Sequence, residues 1–238
     1  MGFRLYLKRL SMVLTNSATE AIKHYVFSLL IIYGFTLETA QAQQTSNWRL
    51  EKDKHGIQVY SRNLSDTKLK ELKVVFELSG QLSDLLAVLS DADHLPDWVY
   101  GTRKSYVIRR VSPSEFYYHT EMNLPWPASN RDVSIRFHAQ QDPQTKVLTI
   151  RSESVGNQVP LQDGIVRVPY SLAHWTVKPL SNEQMHVEYI FRVDPGGKLP
   201  AWLVNLVAST GPMQTFQKLR ELIKNPKYQN KKYPFLES

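Results

Sequence analysis

The sequence predicts an α+β domain in which one large, mostly antiparallel sheet is covered by a long C-terminal helix. Three observations carry this. Segment after segment alternates apolar and polar residues at period two, two stretches switch to helical spacing, and no Ser/Gly-rich linker or internal repeat divides the chain after residue 42. Alternation marks strands with one buried face, whereas apolar residues at i, i+3, i+4 and i+7 mark a helix with one apolar stripe.

The first strand runs from Gly56 to Arg62, and in the next Leu72, Val74, Phe76 and Leu78 oppose Glu71, Lys73 and Glu77. Leu82, Leu85, Leu86 and Leu89 then keep helical spacing, which predicts a short helix from Gln81 to Asp91. A strand from Ser105 to Val111 follows. Phe116, Tyr118, Thr120 and Met122 oppose Tyr117, His119 and Glu121, and Val133, Ile135, Phe137 and Ala139 oppose Ser134, Arg136 and His138. Lys146 to Glu153 and Ser171 to Lys178 read as strands, and Val187, Tyr189, Phe191 and Val193 oppose His186, Glu188 and Arg192. About eight strands with short turns imply an antiparallel sheet. The last helix is expected from Pro200 to Lys224, with Trp202, Leu203, Leu206, Val207, Met213, Phe216, Leu219 and Ile223 on one broad face. Pro200 suits a first turn and Pro226 a position past the end. Gly211-Pro212 predicts a kink or break, because proline removes a backbone donor and clashes with the preceding turn.

The apolar run Tyr25 to Leu37, preceded by Lys23 and followed by Ala40-Gln41-Ala42, reads as a secretory signal peptide (residues 1–42) cleaved after Ala42. It is shorter than a spanning helix. The expected product is exported and periplasmic; the competing reading is an uncleaved signal anchor. Residues 43–224 then make one domain, and 225–238, with Lys227, Lys231 and Lys232, a basic solvated tail. After residue 42 the chain holds 25 Lys/Arg against 20 Asp/Glu, a net charge of +5. Such a surface favours transient contact with anionic headgroups, while an exported protein seldom meets nucleic acid. The absence of cysteine excludes disulfides, an acylated lipoprotein cysteine and a thiol nucleophile.

After residue 42 the histidines His55, His94, His119, His138, His174 and His186 lack metal-ligand spacing, and there is no Gly-x-Ser-x-Gly. His119, His138, His174 and His186 read as strand residues, wet or hydrogen-bonded. Asp91, Asp93, His94 and Asp97 gather where a helix ends, as turn formers do. No catalytic residue, metal or cofactor is expected. An enzyme using Glu121 or His119 as a base is the alternative, and a ligand-responsive sensor a third reading.

Two further segments are more specific: Asn123-Leu124-Pro125-Trp126-Pro127-Ala128-Ser129-Asn130-Arg131-Asp132, and Asp194-Pro195-Gly196-Gly197 leading into Leu199-Pro200-Ala201-Trp202. With Trp48-Arg49-Leu50, Gly56 to Arg62, Leu95-Pro96-Asp97-Trp98, Pro160, Gly164 to Arg167, and Trp175 with Pro179, they resemble in order and spacing the START domain, the steroidogenic acute regulatory protein-related lipid-transfer domain, over Trp48 to Lys224. The chain looks like an exported, bacterial-type member. The resemblance implies a helix-grip fold whose sheet wraps the last helix around a hydrophobic tunnel. It implies a monomeric, non-enzymatic carrier of one phospholipid, fatty acid or sterol-like molecule. The loop from Ser154 to Val168, with Val159, Pro160 and Leu161 at its tip, is the implied lid, and Gly211 and Pro212 let the helix flex. Tyr118, Phe137, Leu148, Trp175, Tyr189, Val207, Met213 and Phe216 are the expected walls. Some members carry an acid and an arginine inside the tunnel; by placement these are Glu121 and Arg136, although the alternation equally allows them an outer, wet face. Arg131 and Asp132 read as a structural turn or salt bridge. Trp98, Trp126, Trp175 and Trp202 read as packing anchors, Trp126 and Trp202 nearest the tunnel mouth.

Overall fold

The computed structural model describes residues 48–64, 70–156, 158–181, 183–197, 199 and 210–237. Their alternating segments pair into one curved sheet of ten strands: β1 (Arg49–Lys54), β2 (Ile57–Asn63), β3 (Lys70–Ser79), β4 (Thr102–Ser112), β5 (Glu115–Met122), β6 (Asn130–Gln141), β7 (Leu148–Ser154), β8 (Ile165–Arg167), β9 (Tyr170–Pro179) and β10 (Gln184–Asp194). The order is β1-β2-β3-β10-β9-β7-β6-β5-β4, antiparallel throughout, with β8 lying parallel against the start of β6. Helix α1 (Leu82–Ser90) leads through a 3-10 turn (Ala92–His94) into the single-turn α2 (Leu95–Trp98), and α3 (Gly211–Leu222) is C-terminal. This is the helix-grip arrangement.

Two strands lie beyond the expected set. β1 has no apolar alternation because it is an exposed edge, and β8 is three residues within the expected lid loop.

The register sorts side chains into two faces, since directly paired residues point the same way. Tyr118 pairs with Ile135, Phe116 with Phe137, Ala139 with Ile150, Ile150 with Trp175, Trp175 with Tyr189, and Tyr189 with Val74. One continuous apolar face therefore crosses from β5 to β3. Helix α3 lies on it: Phe216 meets Phe76 at a centroid distance of 4.9 Å, Tyr189 at 5.3 Å and Trp175 at 5.7 Å. The other face carries Lys73, Arg136, His138, His174, Glu188 and Arg192.

Helix α1 begins at a capping box formed by Gln81 and Asp84 and buries Leu85, Leu86 and Leu89 in the same core. Helix α3 begins at Gly211-Pro212, where proline's missing N–H leaves no intrahelical bond unmade. Gly211 is needed for close approach, because a Cβ there would come within 3.3 Å of the Tyr100 ring. The helix expected from Pro200, with Trp202, Leu203, Leu206 and Val207, lies outside the described residues up to 209, as does the expected signal peptide.

The basic tail is not solvated as expected. Tyr228 is buried, and Tyr233, Phe235 and Leu236 pack against the core. Lys227 Nζ reaches Asp91 Oδ2 at 2.7 Å, the Tyr228 hydroxyl donates to the same oxygen at 3.0 Å, and Gln141 accepts from the Glu237 amide at 2.6 Å. The aromatic residues interleaved with the lysines, which a charge count passes over, hold the tail down.

Candidate ligand-binding surface

Two apolar clusters share the inner face. The larger surrounds α3; the smaller is Val133, Ile135 and Val168, joined by the partly buried Met122 and Val193. Tyr118 packs against both. Between them lies a half-buried zone of Leu72, Tyr118, Tyr189 and Phe191, with the small residues Ser152 and Ala173 paired in its floor. Burial pushes the Tyr118 phenol pKa up, with the neighbouring Ser152 opposing that direction. Tyr189 is pushed up by burial and then by Tyr118, so both phenols stay neutral and serve as hydrogen-bonding groups. Ser61, opposite Leu72, and Ser171, opposite Val193, add further hydroxyls on this face. The zone offers aromatic surface and neutral hydroxyls, and none of the six side chains that form it is ionised.

Of the expected walls, Tyr118, Phe137, Leu148, Trp175, Tyr189, Met213 and Phe216 share this face. Phe137, Leu148, Trp175, Met213 and Phe216 are packed core, whereas Tyr118 and Tyr189 keep exposed surface. Val207 lies outside the described residues. Phe191 shares the alternation that carries Tyr189, whereas Ser152 is placed on this face only by the register, because a small residue carries a weak signal.

The expected polar anchors are corrected. Glu121 pairs with Asp132 in register and Arg136 with Tyr117, on the face opposite Tyr118. There Arg103 donates to Glu121 at 2.8 Å, and Arg136 bridges Glu115 at 2.8 Å and Glu153 at 3.4 Å. Arg136 holds the Glu115 carboxyl below its usual range. Strict period two leaves both side chains no route to the inner face.

Arg131 and Asp132 join distant parts of the chain. The Arg131 guanidinium donates to the carbonyls of Ser129, Pro195 (3.4 Å) and Gly196 (3.2 Å), which ties the two sequence segments that flagged the family to one another. Gly196 has φ +68°, and a Cβ there would lie 3.2 Å from the Arg167 carbonyl, so only glycine lets this turn close against β8. Asp132 takes a two-pronged bond from Arg167, Nε to Oδ1 at 2.6 Å and Nη2 to Oδ2 at 3.0 Å.

The expected lid is also corrected in part. Its last residues form β8, and the carbonyls of Val159 and Pro160 accept from Arg167, on the outer face. Leu161 is 72% exposed, and Trp126, expected as a packing anchor, is 88% exposed. Asp91 is occupied by Lys227, Tyr228 and His94.

The chain belongs to the START domain family, whose model matches residues 36–229. A crystal structure of a STAR-related lipid transfer protein from Xanthomonas axonopodis is 31% identical, with a TM-score of 0.68, and covers 75% of this chain and 99% of that one. The phosphatidylcholine transfer protein of Bos taurus is 29% identical over 168 residues, 69% of this chain and 78% of its own. Human StAR-related lipid transfer protein 5, at 14% identity, shares the fold with a TM-score of 0.66 over 87% of this chain and 97% of that one.

Proposed function

We propose that this protein is a non-enzymatic, monomeric carrier that holds one lipid in a tunnel between α3 and the inner face of the sheet. The observation that carries the reading is the half-buried zone at Tyr118, Ser152, Tyr189 and Phe191, where a covered apolar face keeps accessible surface beside neutral hydroxyls. Burying an apolar ligand there contributes on the order of 25 cal/mol per Å², and the hydroxyls orient it. The lipid-transfer and phosphatidylcholine-transfer proteins that the chain resembles support a lipid ligand, which we take to be a phospholipid, fatty acid or sterol-like molecule. The base of the enzyme reading, Glu121 or His119, faces away from this zone, so nothing favours that alternative.

Export to the periplasm belongs to the proposal, on the strength of the apolar run before Ala42. So does transient docking on a membrane surface: exposed Trp126 and Leu161 sit on the loops before β6 and β8, which start side by side in parallel. A tryptophan at a loop tip partitions well into the headgroup region.

Native mass spectrometry of the detergent-free protein, followed by solvent extraction and lipid analysis, tests the reading. A stoichiometric lipid that Tyr189→Ala or Met213→Trp displaces is the expected result. An empty protein that takes up no added phospholipid, fatty acid or sterol would sink it.

A further inference from the structure

The outer face holds a buried polar cluster that a carrier's tunnel does not use. His119 is 2% exposed; its Nδ1 lies 3.0 Å from Ser134 Oγ, and its Nε2 lies 3.5 Å from Asp132 Oδ2 without a hydrogen-bond partner among the described residues. Asp132, equally buried, is gripped by Arg167, and the Nη2 that bonds its carboxylate also donates to the carbonyls of Val159 at 3.1 Å and Pro160 at 3.3 Å. Arg167 Nη1 is buried with no partner among the described residues. One arginine therefore straps the tip of the Gln158–Gly164 segment to a carboxylate inside the sheet.

The groups that face His119 are Asp132 and Ser134 from β6, Arg167 from β8, Glu121 from β5, and Lys104 and Tyr106 from β4. Glu121 is already satisfied by Arg103 and Asn130. With His119 neutral, Asp132 and Arg167 balance. A proton on Nε2 places two cations on one dry carboxylate, and an uncompensated buried charge is strongly unfavourable. Of the two, the Arg167 side chain is the less enclosed, 17% exposed against 2% for His119. Its other bonds go to loop carbonyls that water satisfies once the loop leaves.

We propose that His119 is the trigger of a pH-operated strap: protonation at Nε2 takes Asp132 from Arg167 and releases the Val159–Pro160 tip from the sheet. Burial holds His119 below its ordinary value of 6.5, with Asp132 opposing and Arg167 reinforcing that direction. The strap is therefore closed at neutral pH and opens only in acid below 6.5. Loosening β8 is the structural consequence, because Arg167 lies in it and the next amide, Val168, donates to the Asp132 carbonyl at 2.9 Å.

Hydrogen exchange of the full chain, corrected for intrinsic rates and read at Ile165 to Val168 from about pH 7.5 to about pH 5, tests this without any ligand. In the wild type, protection there falls about tenfold on acidification while far-ultraviolet circular dichroism stays constant. His119→Gln keeps protection within about twofold across the range, and Arg167→Lys, which cannot grip both carboxylate oxygens, lowers it already at neutral pH. Constant protection in the wild type, the same acid-dependent loss in His119→Gln, or full protection in Arg167→Lys overturns the proposal. None of these readouts depends on whether a lipid is carried.

Discussion

Replacing Phe216 by alanine tests how α3 is gripped. The ring is 2% exposed and meets Phe76, Tyr189 and Trp175 at centroid distances of 4.9, 5.3 and 5.7 Å, the last two edge-on. Deleting a buried phenylalanine costs about 3–5 kcal/mol in lost transfer energy and residual cavity. Edge-on aromatic pairs add about 0.5–1.5 kcal/mol each beyond burial. These contributions overlap, because one ring makes all three contacts. The sheet beneath is braced by β-pairing on every side and collapses little, so the expected loss is in the upper half of the range, about 4 kcal/mol. At about 2–4 °C per kcal/mol for a domain of this size, the midpoint drops by about 8–16 °C. Urea unfolding followed by far-ultraviolet circular dichroism supplies the free energy. Phe216→Leu, which keeps most of the volume, is the control and should cost less than about 1.5 kcal/mol. A loss for alanine below about 1.5 kcal/mol, indistinguishable from leucine, would refute the reasoning, because the ring would then face open space rather than three aromatic neighbours.

Arg131→Met removes a buried cation that serves three carbonyls, with a stability loss of about 2–3 kcal/mol in the same assay, since bonds to charged groups are worth more than neutral ones. Trp126→Ala leaves stability within about 0.5 kcal/mol because the ring is exposed, yet lowers binding to anionic vesicles several-fold in a sedimentation assay. Asp91→Asn destabilises at neutral pH: burial raises the Asp91 pKa, but Lys227, His94 and Tyr228 together outweigh it and leave it below 3.8. That stabilisation is present above 3.8 and disappears as pH falls through the lower native value, so the gap between wild type and Asp91→Asn in urea midpoint closes in acid.

The parts of the fold legible in the sequence are those where burial is one-sided. Period two fixes which residues of β3, β5, β6 and β10 share a face, and the register then joins Tyr118, Trp175 and Tyr189, expected as walls from the family resemblance, on one surface. The same alternation offered the outer face for Glu121 and Arg136, and it outweighed the placement suggested by family resemblance. What escaped is what lacks a one-sided face or acts over distance. β1 is an edge wet on both sides, β8 is too short for a period, and the tail's aromatic residues are spaced irregularly among lysines. The bond from Arg131 to Gly196 spans 65 positions, and local pattern does not encode a partner that far away.

Adjacent residues in a strand point to opposite faces, and Arg131-Asp132 turns that rule into a joint. Arg131 shares the side of Val133 and holds the turn after β10, while Asp132 shares the side of Ser134 and holds β8 through Arg167. One dipeptide thereby fixes both connections that flank the half-buried zone. Its work is geometric, because the Arg131 guanidinium is engaged by backbone carbonyls and the Asp132 carboxylate by Arg167. In the proposed carrier, ligand selection falls to positions outside the signature, above all Tyr118, Ser152 and Tyr189, where a single hydroxyl alters the polarity of the floor without moving the frame. Substitutions at Ser152 and at Arg131 should for that reason separate cleanly: the first changes which lipid copurifies at constant stability, and the second lowers stability at constant lipid identity.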